Sequence, residues 1–256
     1  MLVFSLLVVG HVLADFVLQS DALVAAKANP QTRGGALKRH YGQVVIAHAI
    51  PLALLHPVMA IFASLLLGGV HYVIDRWKLQ KEQTYPAPLR WFLWDQGLHL
   101  ATLLVAAVWI AEFPLEDALE RGQLAATWID ELIFLAMLAL NARLGGFVVA
   151  EFLRRYKPRP VEAAASDEGS TAQQEGEILR TGRVIGMLER VLLFLILVQG
   201  EWAAVGFVIA AKSVVRFPEL SKRAFAEYYL LGTLSSFLFA ILSVLFYHRW
   251  LDWLPG

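Results

Sequence analysis

The sequence predicts an all-α protein: a polytopic transmembrane helical bundle of about eight spans, with both termini outside. Three observations carry this. Hydrophobic residues make up 58% of the 256 positions, charged residues only 17%, and the mean hydropathy is +0.56, which is too apolar for an ordinary soluble domain. The apolar residues gather into stretches near the length a bilayer requires. Lys and Arg fall in alternate connections between those stretches.

Taken in order, the spans are expected at about 1–19, 42–55, 57–76, 91–111, 128–152, 183–200, 202–217 and 228–248. The first begins apolar at Leu2 with no basic region before it, so Met1–Leu18 reads as a retained span. The second and third are separated only by the turn at His56-Pro57, and with Pro51 in the second this pair is compatible with a partly re-entrant hairpin. Basic residues cluster after the first span (Lys27, Arg33, Lys38, Arg39), the third (Arg76, Lys78, Lys81, Arg90), the fifth (Arg154, Arg155, Lys157, Arg159, Arg180, Arg183) and the seventh (Lys222, Arg223). The other connections hold little beyond Arg121 among acidic neighbours. The basic side is cytoplasmic by the positive-inside rule, which puts both termini outside.

Residues 158–176 lack large apolar side chains apart from Val161, and such a segment cannot bury a core. Three parts are expected: a five-span membrane domain over 1–155, a flexible cytoplasmic linker over 156–181 and a three-span membrane domain over 182–256. A formal net charge of zero gives no sign of nucleic-acid binding. Cys is absent, which removes thiolate metal sites, disulfides and Cys nucleophiles and leaves only nitrogen and oxygen as metal ligands.

The chemistry lies in a recurring pair. His11 and Asp15 stand four apart, His71 and Asp75 repeat that spacing, and Asp95 and His99 return it reversed, with His48 between. Four residues apart on a helix is one face. Because the fourth span runs opposite to the first and third, the reversal places each His deeper and each Asp nearer the cytoplasm, about 6 Å apart along the axis. Ionisable groups are expensive in a bilayer, so seven at one depth should face one another. Any single pair is commonly an interhelical hydrogen bond; three pairs in register point to a metal or catalytic site. The expected metal ligands are His11, His48, His71, Asp75 and His99, holding a divalent ion, Zn first, with Mn or Fe compatible. Asp15 or Asp95, whichever does not ligate, is placed as the general base. Gln19 and Gln96 are placed to orient a substrate, and Arg190, Lys212 and Arg216 to contact its anionic group; the bland reading of the last three is helix packing and snorkelling. His40 is assigned to a solvated basic loop, and with His56 and His248 is set aside.

The motif set His11-x-x-x-Asp15-Phe16-x-Leu18-Gln19, Lys27, His48, His71-x-x-x-Asp75-x-x-Lys78 and Asp95-Gln96-x-x-His99 resembles an uncharacterised family of bacterial integral membrane proteins, a domain of unknown function, over about the first 110 residues. The resemblance implies a bacterial inner-membrane protein and brings no established reaction. In residue types alone the layout is similar to membrane-bound metal-dependent hydrolases. The leading expectation is a metal-dependent hydrolase at the cytoplasmic leaflet, acting on an anionic or phosphate-bearing lipid-linked substrate. The rivals are a divalent-metal or proton transporter using the same cluster, and a membrane scaffold working through its linker.

Overall fold

The computed structural model describes residues 1–85, 87–112, 118–156, 168–215, 217 and 223–254, with backbone alone at 118–126, 168–180 and 224–225. Helices form α1 (Leu2–Val12), a π-helical turn (Leu13–Leu18), α2 (Asp21–Ala28), α3 (Arg33–Ala53), α4 (Pro57–Thr84), α5 (Pro88–Ala111), α6 (Ala118–Leu153), α7 (Glu168–Val198), α8 (Trp202–Val215) and α9 (Arg223–Asp252). No strand occurs among the described residues.

Helix is present at each of the eight expected places, but fewer are long and apolar enough to cross a membrane. Four stretches among the described residues are: Pro57–Thr84, Pro88–Ala111, Thr127–Tyr156 and Ala226–Asp252. Leu2–Leu18 and Asp21–Ala28, bent by 85°, add a fifth if they count as one broken span. The shortfall has identifiable causes. The α3 helix carries Lys38, Arg39, His40 and His48, α7 carries Arg183, Glu189 and Arg190 beside its apolar run, and α8 has only 14 residues. Of the expected linker 156–181, residues 157–167 lie outside the described residues, while the backbone from Glu168 onward is already helical. Ala, Gln and Glu in Thr171–Glu177 are adequate helix formers, so a segment too polar to build a core can still extend α7.

The chain divides into two compact units, Met1–Ala139 with Trp250–Gly256, and Leu140–Arg249. In the first, α1 packs on α3 and α5, and α4 packs on α3 and α5, closing a ring of four helices. The inward stripes recur every turn, most regularly in α5 at Trp91, Asp95, His99, Leu103 and Ala107. At one end of the ring Leu7, Leu52, Ala60, Ala63, Leu67, Leu103, Ala107 and Ile110 make an apolar plug. One turn from it the stripes become polar: Leu7 leads to His11 and Asp15, Leu67 to His71 and Asp75, Leu103 back to His99 and Asp95. The plug is tied off by Trp250, whose indole N–H donates to Ser5 Oγ (2.9 Å) and whose ring stacks on Phe4.

In the second unit, Leu193, Phe237 and Ala240 form a core joined by Val205 and Val208. Arg190 crosses to α6, where Gly145 and Gly146 leave room: a Cβ at Gly146 would stand 2.8 Å from the guanidinium.

The ring depends on close approach of α1 to α3 at Gly10, where an added Cβ would meet Ala47 O at 2.8 Å and His48 Cα at 3.0 Å. Both are backbone atoms, so neither can move without shifting its helix. Gly10→Leu is therefore expected to destabilise the first unit by about 1–3 kcal/mol or more, read as a lower unfolding temperature in detergent, whereas the same substitution at Gly42, which faces open space, should change it little.

Candidate functional site

The first span does not run straight through the site. The i→i+5 bond from Gln19 N–H to Ala14 O closes a π-helical turn around Asp15, a geometry that widens the helix and is common at functional sites. At Gln19 and Ser20 the backbone becomes extended, and Ser20 Oγ accepts from Leu23 N–H to cap α2. The α2 helix turns away and brings Lys27 back. Its end is held by Arg33, which donates to the carbonyls of Lys27 and Ala28 (both 3.0 Å), and by Thr32 Oγ1 on the carbonyl of Ala26.

Inside the ring all three carboxylates and four of the imidazoles meet. His40 Nε2 lies 3.1 Å from His71 Nε2 and 3.2 Å from Asp15 Oδ1, and His71 Nε2 lies 3.3 Å from the same oxygen. His11 Nε2 is 3.8 Å from Asp15 Oδ2. Asp75 stands 3.8 Å from His40, His71 and His99, and His99 Nε2 is 3.4 Å from Asp95 Oδ1. The rings of His71 and His99 stack with centroids 3.9 Å apart. Two lysines enter: Lys27 Nζ donates to Asp75 Oδ2 at 2.5 Å and Lys78 Nζ to Asp95 Oδ2 at 3.2 Å.

Amide neighbours settle two of the ring tautomers. Gln43 Nε2 donates to the carbonyl of Leu18, so its Oε1 faces His40 Nδ1 and calls for an N–H there; in the neutral ring the lone pair is then on Nε2, toward Asp15 and His71. Gln96 Nε2 donates to Asp95 Oδ2, so its Oε1 accepts from His11 Nε2, and the lone pair of His11 lies on Nδ1 instead. His48 donates through Nδ1 to the carbonyl of Val44 (2.8 Å), and its buried Nε2 has no hydrogen-bond partner. Asp15 Oδ1, Asp95 Oδ1 and His99 Nε2 are likewise buried without a well-formed hydrogen bond.

Three groups of donor atoms lie close enough to hold a metal ion, His11, Asp15 and His71; His40, His71 and Asp75; and Asp75, Asp95 and His99, and across the first two Asp15 Oδ1, His40 Nε2 and His71 Nε2 stand within 3.3 Å of one another. Expected ligands His11, His71, Asp75 and His99 fall among them, as do Asp15 and Asp95. His48, in the neighbouring turn against Gly10, does not.

His40 corrects the sequence reading. It is 1% exposed, in α3, because that helix starts at Arg33 and not at 42. Lys38 and Arg39 point outward while Ala36, His40, Val44 and His48 share the buried stripe. That four-residue rhythm was the available signal; the adjacent basic pair hid it. Lys27 is corrected in the same way, from a loop charge to a buried partner of Asp75, 6% exposed.

Among the expected substrate contacts, Gln96 reaches the cluster and Gln19 sits half-buried at the helix break. Arg190 and Lys212 belong to the second unit. There Arg190 donates to the carbonyls of Asn141 and Ala142 (both 2.9 Å), and Lys212 pairs with Glu189 at 2.6 Å. Arg216 lies outside the described residues.

These features define the class: an all-helical membrane protein with a buried His/Asp cluster able to hold a metal ion. Residues 3–121, the segment that builds that cluster, match the model of the family described as "Protein of unknown function (DUF3307)". No curated protein and no solved structure is significantly similar to the chain.

The tautomers are directly measurable. In protein treated with chelator and labelled with 15N-histidine, His40 is expected to show the Nδ1–H form and His11 the Nε2–H form in long-range 15N–1H spectra, and Gln43→Ala should remove the preference at His40 alone.

Proposed function

We propose that the protein is a metal-dependent hydrolase of the bacterial inner membrane, acting at the cytoplasmic leaflet on an anionic or phosphate-bearing lipid-linked substrate. The observation that carries this reading is the triangle of His40 Nε2, His71 Nε2 and Asp15 Oδ1, with edges of 3.1, 3.2 and 3.3 Å. Tetrahedral Zn with bonds of about 2.0–2.1 Å sets its ligand atoms about 3.3–3.4 Å apart. The lone pair of His40 and the charge of Asp15 converge with at most one proton from His71 between them, and a divalent cation answers both.

A divalent ion held by Asp15, His40 and His71 would supply hydroxide near neutral pH and polarise the scissile group. The chain's own residues do the rest. In this reading Asp15 ligates, and Asp95, with His99 against Oδ1 and Lys78 and Gln96 holding Oδ2, would be the general base that takes the water proton. Lys78, the more exposed of the two lysines, is the nearest cation for a substrate anion. The apolar plug gives the cluster a closed end, which favours an enzyme over a conduit. The transport alternative has one observation on its side, the 85° break in the first helix beside the site, since discontinuous helices line many transport sites.

Purified protein is expected to carry Zn, and His40→Ala and His71→Ala to lose it. Asp95→Ala should keep the metal while phosphate release from phosphatidate-containing vesicles falls about 10²–10⁴-fold. Metal-free protein whose activity survives these changes would refute the reading, and metal uptake into proteoliposomes abolished by His71→Ala would favour transport.

We infer further that the chain makes about eight crossings, with both termini outside, from the alternation of basic connections. With no native Cys, single Cys substitutions report this cleanly: Gln31→Cys should react with an impermeant maleimide only after permeabilisation, and Glu112→Cys and Glu201→Cys in intact cells.

A further inference from the structure

Three donor groups overlap in the cluster, and Asp75 is common to two of them. Geometry alone would admit two metal ions bridged by that carboxylate. The distribution of counter-charge does not. Asp75 and Asp95 each already hold a lysine, Lys27 at 2.5 Å and Lys78 at 3.2 Å. Asp15 holds none: among the described residues, the basic side chains within 4 Å of its carboxylate are His11, His40 and His71. Of the three carboxylates in the ring, Asp15 is the one with no ammonium group in contact, and His40 Nε2 and His71 Nε2 both face its Oδ1.

We propose that the cluster takes a single divalent metal ion, at Asp15, His40 and His71, and that Lys27 and Lys78 are built-in counter-ions that keep a second ion off Asp75, Asp95 and His99. This rests on the metal-binding reading above and adds to it the number of ions and their place. The lysines are not incidental surface charges. Lys27 is delivered by the broken first span and locked by Arg33 on its own carbonyl, and its Nζ holds Asp75 Oδ2, leaving Oδ1 toward His71 and His99 with an ammonium group on the same carboxylate. Lys78 occupies Asp95 Oδ2 with the Gln96 amide, leaving only Oδ1 toward His99. An ion entering that group would sit beside two ammonium groups within a low-dielectric ring, where like charges repel strongly.

The test is the number of Zn ions bound per chain. Full-length protein in detergent is stripped with chelator, loaded with Zn alone, dialysed and analysed by elemental mass spectrometry. The wild type should hold one equivalent, Asp15→Asn none, Lys27→Arg still one, and Lys27→Met/Lys78→Met two. Two equivalents in the wild type, or one in a monodisperse double variant, would overturn the proposal. Should the double variant aggregate, Lys78→Met alone decides: a rise above one equivalent supports the assignment, and an unchanged single equivalent refutes it. A wild type that holds no Zn at all would instead take down the metal-binding reading beneath it.

Discussion

Three carboxylates are buried within one ring of four helices, and the need to compensate their charge governs the rest of the first unit. Each negative charge in so dry a place must find a cation or strong donors within reach, or the helix bearing it cannot stay where it is. Asp75 and Asp95 are compensated by lysines. Asp15 is surrounded by imidazoles. The irregular features of the fold serve those needs: the π-turn re-aims Asp15, the break after Leu18 frees a carbonyl that anchors Gln43 and thereby His40, and α2 folds back to deliver Lys27.

The two ends of the ring are built for opposite purposes. Leucine, alanine and isoleucine fill one end, and the close approach at Gly10 brings α1 and α3 near enough for His40 and Asp15 to meet. The polar half is rigid by a different route, through the linked hydrogen bonds Lys78–Asp95–Gln96–His11 and Leu18–Gln43–His40. Such linked bonds fix ring orientation and tautomer together, so the lone pairs are aimed before any ligand arrives.

Much of this was legible in the sequence. The three His/Asp pairs were visible because a spacing of four keeps them on one face, and their shared depth followed from the reversal in α5, where Asp95 precedes His99. What escaped was whatever did not look apolar or periodic over a long enough stretch. His40 sits next to Lys38 and Arg39, so average hydropathy discards it although its own face is buried. Lys27 reads as a loop charge because Leu13–Ser20 contains neither Pro nor Gly to mark the end of the first helix, and Ser20, the N-cap of α2, is the one local signal that a short helix begins. Arg190 and Lys212 looked available for an anion, but carbonyls of α6 and the carboxylate of Glu189 engage them; partners 49 and 23 residues away in the chain cannot be read from local pattern.

The bond from Trp250 to Ser5 joins residues 245 positions apart, and the stacking on Phe4 adds to it. Ribosomes deliver chains from the N-terminus, so every helix of the ring is synthesised long before the tryptophan that closes its apolar end. The first unit therefore cannot mature in step with synthesis: until α9 has been made, Ser5 has no indole to accept from and Phe4 has no stacking partner. Completion of the last helix is then the step that closes the apolar end of the ring.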